Sequence, residues 1–244
     1  MWLRVGCDLL FEIEVPTPFI LMLRPRSGAE QWIARDEFKI KPNVPVVEFT
    51  DNYGNLCQQL IAPAGNFSIQ TKSDVKTSEW VDVEPGAYFV EIQNLPHSVL
   101  SYLLPSRYCE SDRFCDLASN ITANQLPGYD QVAAIETWLI NTISYIPGSS
   151  DYPISAIEVN NRQSGVCRDL AHLGIALCRS LSIPARMVVG YLYTFDATQT
   201  GQKGGYVAIG YGQDAADVAV FNQFGPSVYP TIQNVSVELI EDGF

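Results

Sequence analysis

Cys167 is the residue of this chain best placed to do chemistry. It sits in Ser164-Gly165-Val166-Cys167-Arg168-Asp169, at the start of a segment whose apolar spacing predicts a helix. The first turn of a helix carries backbone N–H groups with no intrahelical acceptor, together with the positive end of the helix dipole. Both favour an anion. A thiol placed there ionises more readily, and the thiolate is the nucleophilic form. The same N–H groups can stabilise an oxyanion. The plainer alternative is a small buried side chain, the commoner state of a cysteine outside a disulfide.

A thiolate nucleophile needs a base within hydrogen-bond reach, usually a histidine oriented by a third polar group. The 244 residues contain two histidines, His97 and His172. His172 lies five positions beyond Cys167, a rotation of about 140° and a rise of about 7.5 Å on a helix, so it does not face the thiol. Its place beside the apolar stripe reads as a structural histidine. His97, in Asn94-Leu95-Pro96-His97, has nothing that aims it at Cys167 and reads as a solvated loop residue. Cys178, about three turns further down the same helix and on its apolar face, reads as core.

Two histidines and six cysteines without a CxxC pair do not make a zinc site, which draws four closely spaced ligands. Gly201, Gly204 and Gly205 match neither GxGxxG nor GxxxxGK[ST], so no phosphate-binding loop and no cofactor is implied.

The elements that must position Cys167 fall into two groups. Up to about residue 100 the pattern is strands and turns: Phe67 to Thr71 and Tyr88 to Ile92 alternate with period two, and Asp51-Asn52-Tyr53-Gly54 reads as a hairpin turn between Val46–Phe49 and Leu56–Ile61. From Ser111 the signal becomes helical. Asp130 to Tyr145 has helical spacing between Pro127-Gly128 and Pro147-Gly148. Ser155 and Glu158 form a capping box for a short helix. A third helix opens after Ser164-Gly165 and ends before Pro184. Strand patterns return at Ala185–Tyr193, Tyr206–Ile209 and Val235–Leu239. The expected fold is α+β, with an antiparallel β domain over 1–105 followed by a helix-plus-antiparallel-sheet domain over 106–244.

Composition narrows the function classes. With 47% hydrophobic and 17% charged residues the chain is not of the disordered type. Its net charge of −12, from 15 Lys+Arg against 27 Asp+Glu, argues against nucleic acid as a partner, since phosphate is neutralised by clustered cations. The N-terminal apolar stretch is broken by Asp8, Glu12 and Glu14, unlike a signal peptide. The longest dense apolar run, Phe19 to Leu23, is far short of the ~20 residues that span a bilayer. A cytoplasmic protein with reduced thiols and no membrane partner is expected. The Asn-x-Ser/Thr triplets at Asn66, Asn120 and Asn234 then read as chance matches.

Gly165-Val166-Cys167-Arg168-Asp169-Leu170-Ala171-His172-Leu173, continuing through Ala176-Leu177-Cys178-Arg179 to Ile183-Pro184-Ala185-Arg186 and Gly190-Tyr191-Leu192, resembles the nucleophile helix and following strand of the transglutaminase-like superfamily. That superfamily includes papain-type cysteine peptidases and acyltransferases. Phe195-Asp196-Ala197-Thr198 resembles its strand ending in the third triad member, and Gly212 to Ala219 the segment after it in bacterial members. The first hundred residues are similar to the β-rich domain that often precedes this module in bacteria. The resemblance implies Cys167 as nucleophile, a histidine as base and acid, Asp196 orienting that histidine, and a peptide or protein as substrate or ligand.

The histidine member has no counterpart. In the family a connection and a strand, typically bearing His-Ala-Trp, lie between the Gly-Tyr-Leu strand and the Phe-Asp-Ala-Thr strand. Here Gly190-Tyr191-Leu192 runs directly into Tyr193-Thr194-Phe195-Asp196, too short for a strand of about 5–6 residues with its turns. In an antiparallel meander the first and third strands run in the same direction, so removal of the middle one predicts one continuous strand from about Ala185 to Ala197. Loss of the base of a pair that acts as a unit costs of order 10⁶ in rate, leaving a residual of about 10³–10⁴ over water. The expectation is an impaired or inactive family member that binds a peptide or protein. Two alternatives stay open: an active cysteine peptidase or acyltransferase that uses another histidine, and an internal deletion of an ordinary member. The sequence sets no oligomeric state.

Overall fold

The computed structural model describes residues 1–28, 31–78, 84–150, 152–191 and 231–240. The chain divides into two compact units. In described residues, the first comprises 1–28 and 31–78 with 190–191 and 231–240, and the second 84–150 and 152–189.

The first unit is built of antiparallel strands: β1 (Trp2–Ile13), β2 (Thr17–Leu21), β3 (Gln31–Lys41), β4 (Val47–Thr50), β5 (Leu56–Ala62), β6 (Gly65–Thr77) and, from the far end of the sequence, β9 (Thr231–Leu239). One sheet has the order β3-β6-β1-β9 and the other β2-β5-β4. Alternation sends Cys7, Leu9, Phe11 and Ile13 of β1 inward to meet Phe67 and Ile69 of β6, Phe19 and Leu21 of β2, and Leu60 and Ala62 of β5. Phe11, Phe19 and Phe67 form the centre of this core; Phe11–Phe19 and Phe19–Phe67 pack edge to face, with ring centroids 4.9 and 5.7 Å apart. The hairpin turn at 51–54 is found. Gly54 N–H donates to the Asp51 carbonyl at 2.9 Å, and the Asp51 carboxylate accepts from the N–H groups of Tyr53 and Asn55.

Tyr191 belongs to this unit. Its hydroxyl donates to the Leu23 carbonyl at 2.8 Å and lies 3.4 Å from Thr71 Oγ1, which in turn lies 3.3 Å from the Cys7 sulfur. Burial pushes the Cys7 thiol pKa up.

The second unit holds α1 (Cys115–Ile121), α2 (Tyr129–Thr142), β7 (Ser144–Tyr145), α3 (Ala156–Arg162), β8 (Ser164–Gly165) and α4 (Cys167–Ser180), preceded by 3-10 turns at Ile92–Asn94, His97–Leu103 and Ser111–Arg113. The three helices expected after residue 128 are all present. Ser155 caps α3 by accepting from the Glu158 N–H. The apolar face of α4, with Leu173, Ala176 and Leu177, packs on Ala118 of α1, Ile135 of α2 and Val159 of α3. Gly128 opens α2 at a φ of +111°, and a Cβ there would stand 2.4 Å from the Ala87 carbonyl oxygen, so only glycine fits.

The α+β class and the order of antiparallel sheets before helices are as expected. Three strand expectations need correction. Tyr88 to Ile92 is not a strand; Tyr88 makes one isolated bridge with Gly128 before a 3-10 turn begins. Residues 185–191 are irregular. The Ala185 N–H donates to the Tyr102 carbonyl, and the Ala185 carbonyl accepts from the Arg179 guanidinium, so side chain and turn take the groups a neighbouring strand would use. The rest of the expected continuous strand, like Tyr206–Ile209, lies outside the described residues. Finally, β9 includes the expected Val235–Leu239 strand but joins β1 of the first unit, with Val5 opposite Val237, rather than a sheet of the helical unit. Among the described residues that unit's own sheet is the parallel pair β7-β8.

Gln58 on β5 is fully buried, yet neither its Nε2 nor its Oε1 has a hydrogen-bond partner among the described residues. An unsatisfied buried polar group costs about 1–3 kcal/mol. Gln58→Met, of similar volume, is therefore expected to raise the melting temperature in thermal denaturation; a folded but less stable variant would contradict the assignment.

Candidate functional site

Helix α4 begins at Cys167, with Val166 as its N-cap. Valine has no side-chain acceptor, so the first turn is secured from the other direction: the Asp169 carboxylate reaches back and accepts from the Val166 N–H at 3.1 Å. This is one half of a capping box. It requires Gly165, where a Cβ would sit 2.8 Å from the Asp169 Cβ.

Cys167 is 5% exposed, in the first helical turn as expected. The two residues after it are also buried although both are ionic. Asp169 is fully buried, and Arg168 Nε donates to its Oδ1 at 3.1 Å. Ser150 Oγ donates to Asp169 Oδ2. The Arg168 Nη2 group donates to the carbonyl oxygens of Ser150 and Tyr152 at 3.3 and 3.0 Å, and to Ser150 Oγ at 3.1 Å. A buried charge is tolerable only when paired and bonded in this way.

His172 is packed and hydrogen-bonded within the helical unit. It is 7% exposed, its Nδ1 is 3.0 Å from the Ile154 carbonyl, and its ring stacks on Tyr108 with a centroid distance of 5.2 Å and 7° between planes. A carbonyl can only accept, so the proton of the neutral ring sits on Nδ1. Burial, the largest cause, holds its pKa below the ordinary value. His97 is exposed and opens the 3-10 turn His97–Leu103. Cys178 is buried, and desolvation pushes its thiol up to about 11, in keeping with a core role. Asp196, the expected third member, lies outside the described residues. Sequence reasoning missed Ser150 and Tyr108, whose link to α4 exists only in three dimensions. Arg168 and Asp169 lie within the motif itself, and two adjacent opposite charges at the head of an apolar helix are the sequence signal for their pairing.

The family model of the transglutaminase-like superfamily matches residues 116–223. A solved structure described as that of "a Putative Cysteine Protease from Cytophaga hutchinsonii" is 30% identical, with a TM-score of 0.79, covering 100% of this chain and 92% of that one. The chain belongs to the transglutaminase-like superfamily. An uncharacterized protein of Mycobacterium leprae (strain TN) is 28% identical over 178 residues, 70% of this chain but 63% of that protein's own length. Among the described residues of this transglutaminase-like chain, no helix is long and apolar enough to cross a membrane, and no group of three or more His, Cys, Asp or Glu side chains could hold a metal.

The buried state of His172 has a measurable consequence. Its folded-state pKa lies below the ordinary 6.5, so the folded protein resists a proton that the unfolded chain accepts. The stability this gives is complete above about pH 6.5 and declines as pH falls from there toward the folded-state value. Urea denaturation at a series of pH values is expected to show this loss in the wild type and a flatter profile in His172→Gln. Parallel profiles for the two proteins would refute it.

Proposed function

We propose that this transglutaminase-like protein is catalytically impaired or inactive and that it binds a peptide or protein at the Cys167 site. The observation that carries this reading is the state of its two histidines. His172 gives its Nδ1 to the Ile154 carbonyl and its ring face to Tyr108, and His97 stands in an exposed turn of an irregular segment. These surroundings favour neither as the base of a Cys–His pair, and the sequence has no histidine between Gly190 and Asp196. The placement of Cys167 at the head of α4 and its hydrogen-bonded first turn support a retained binding site. The description of the Cytophaga hutchinsonii relative as a cysteine protease favours a peptide or protein as what is bound.

Alkylation of Cys167 by iodoacetamide tests this. Sulfur displaces iodide, a C–S bond forms, and the thiol proton passes to solvent. A thiol whose proton is not taken by an imidazole loses about ten-fold in rate for each pH unit below its pKa, whereas a thiolate held by an imidazolium keeps its rate well into the acid range. The rate at Cys167, read by peptide mapping, is expected to fall about ten-fold per unit between pH 7 and pH 5 with no acid plateau. A relative that has the His-Ala-Trp segment should show the plateau. A plateau in this protein, accompanied by Cys167-dependent turnover of a peptide substrate, would establish the active peptidase or acyltransferase instead.

A further inference from the structure

We propose that Arg168 and Asp169 are positioning residues for Cys167, and that they act by locking the β7–α3 connection onto the first turn of α4. This rests on Cys167 as the functional position but not on whether the site turns over. The connection, described over residues 146–150 and 152–155, is fastened to α4 and its lead-in strand at alternate points. The Ile146 N–H donates to the Gly165 carbonyl at 3.0 Å. Ser150 donates to Asp169 and accepts from Arg168, which also takes the Ser150 and Tyr152 carbonyls. The Ile154 carbonyl is held by His172. Gly165, Arg168, Asp169 and His172 thus grip one strap of chain from both sides of the Cys167 position.

The chemistry of the grip is unequal. Ile146 and Ile154 are held by single neutral bonds, whereas Ser150 and Tyr152 are held through a buried ion pair. Bonds to charged groups are worth roughly twice neutral ones, and removal of one partner leaves the other charge buried and uncompensated. Arg168 supplies a planar donor set that spans a carboxylate, a hydroxyl and two carbonyls at once, which an ammonium group cannot do. The described parts of the strap are therefore held on the first turn of α4 chiefly by this pair, and Cys167, two residues from Gly165 and adjacent to Arg168, belongs to the turn that the pair fixes.

The experiment is iodoacetamide alkylation at a single fixed pH, with all six cysteines quantified by peptide mapping. It compares the wild type with Ser150→Ala, Arg168→Lys and Arg168→Met. Loosening of the whole unit would raise Cys167 and Cys178 together, since both lie on α4. Release of the strap raises Cys167 alone. The expected result is a rise of about ten-fold in the Cys167 to Cys178 labelling ratio for Arg168→Met, with smaller rises for Arg168→Lys and Ser150→Ala. Ser150→Ala removes only a hydroxyl, so it serves as the test if Arg168→Met does not fold. An unchanged ratio in folded Ser150→Ala and Arg168→Lys would overturn the proposal. The ratio is independent of the pH profile that tests the loss of catalysis, so either reading can fail without the other.

Discussion

The buried pair Arg168–Asp169 is the constraint on which the second unit turns. Two full charges have been taken out of water within one turn of a helix, an arrangement that costs several kcal/mol per ion unless geometry and bonding offset it. Here the carboxylate accepts from a backbone N–H, a hydroxyl and the guanidinium, and the guanidinium reaches two carbonyls beyond. Each partner depends on the others. Val166 cannot cap its own helix, so Asp169 must; Asp169 cannot be buried alone, so Arg168 accompanies it; Gly165 must lack a side chain for the carboxylate to fit. The start of α4, the end of β8 and the connection after β7 are therefore one cooperative object rather than three adjacent pieces. Arrangements of this kind tend to specify a single geometry more than they add stability.

What the sequence made legible follows from how local each signal is. The spans of α2, α3 and α4, the Ser155 cap and the turn at 51–54 depend on residues within a few positions of one another, and all appear close to where spacing places them. The burial of His172 was also readable, because its position beside the apolar stripe of the helix turns it into the packed unit. What was not readable depends on distant partners. Nothing near Val235 indicates that its strand lies beside β1, and nothing near Tyr108 indicates that it stacks on His172. The 185–191 segment has the apolar pattern of a strand but no ladder partner among the described residues, and Val188 and Val189 are exposed. A pattern states what a segment would bury beside a suitable neighbour; it does not supply the neighbour.

The site itself was half legible. The motif around Cys167 led to the family and to a helix start, and both are found. The side chains that hold that helix start belong to a connection whose sequence, Pro147-Gly148-Ser149-Ser150, reads only as a turn. Serine is common in turns for reasons that have nothing to do with a carboxylate on another element, so its bond to Asp169 left no trace in the sequence.

The pairing of β1 with β9 also bears on how the chain comes to be folded. Leu3 stands opposite Leu239, so β1 is completed on one side by a strand that lies far along the chain and is made long after it. The entropy of closing so long a loop grows only slowly, by about 0.6 kcal/mol per doubling of length, and is no obstacle at equilibrium. Timing is another matter. Until β9 is made, β1 presents an unsatisfied row of backbone donors and acceptors to any strand nearby, the usual starting point for edge-to-edge association. During synthesis the hazard of this fold therefore lies in the β unit, while the helical unit, made of contacts closer in sequence, can close first.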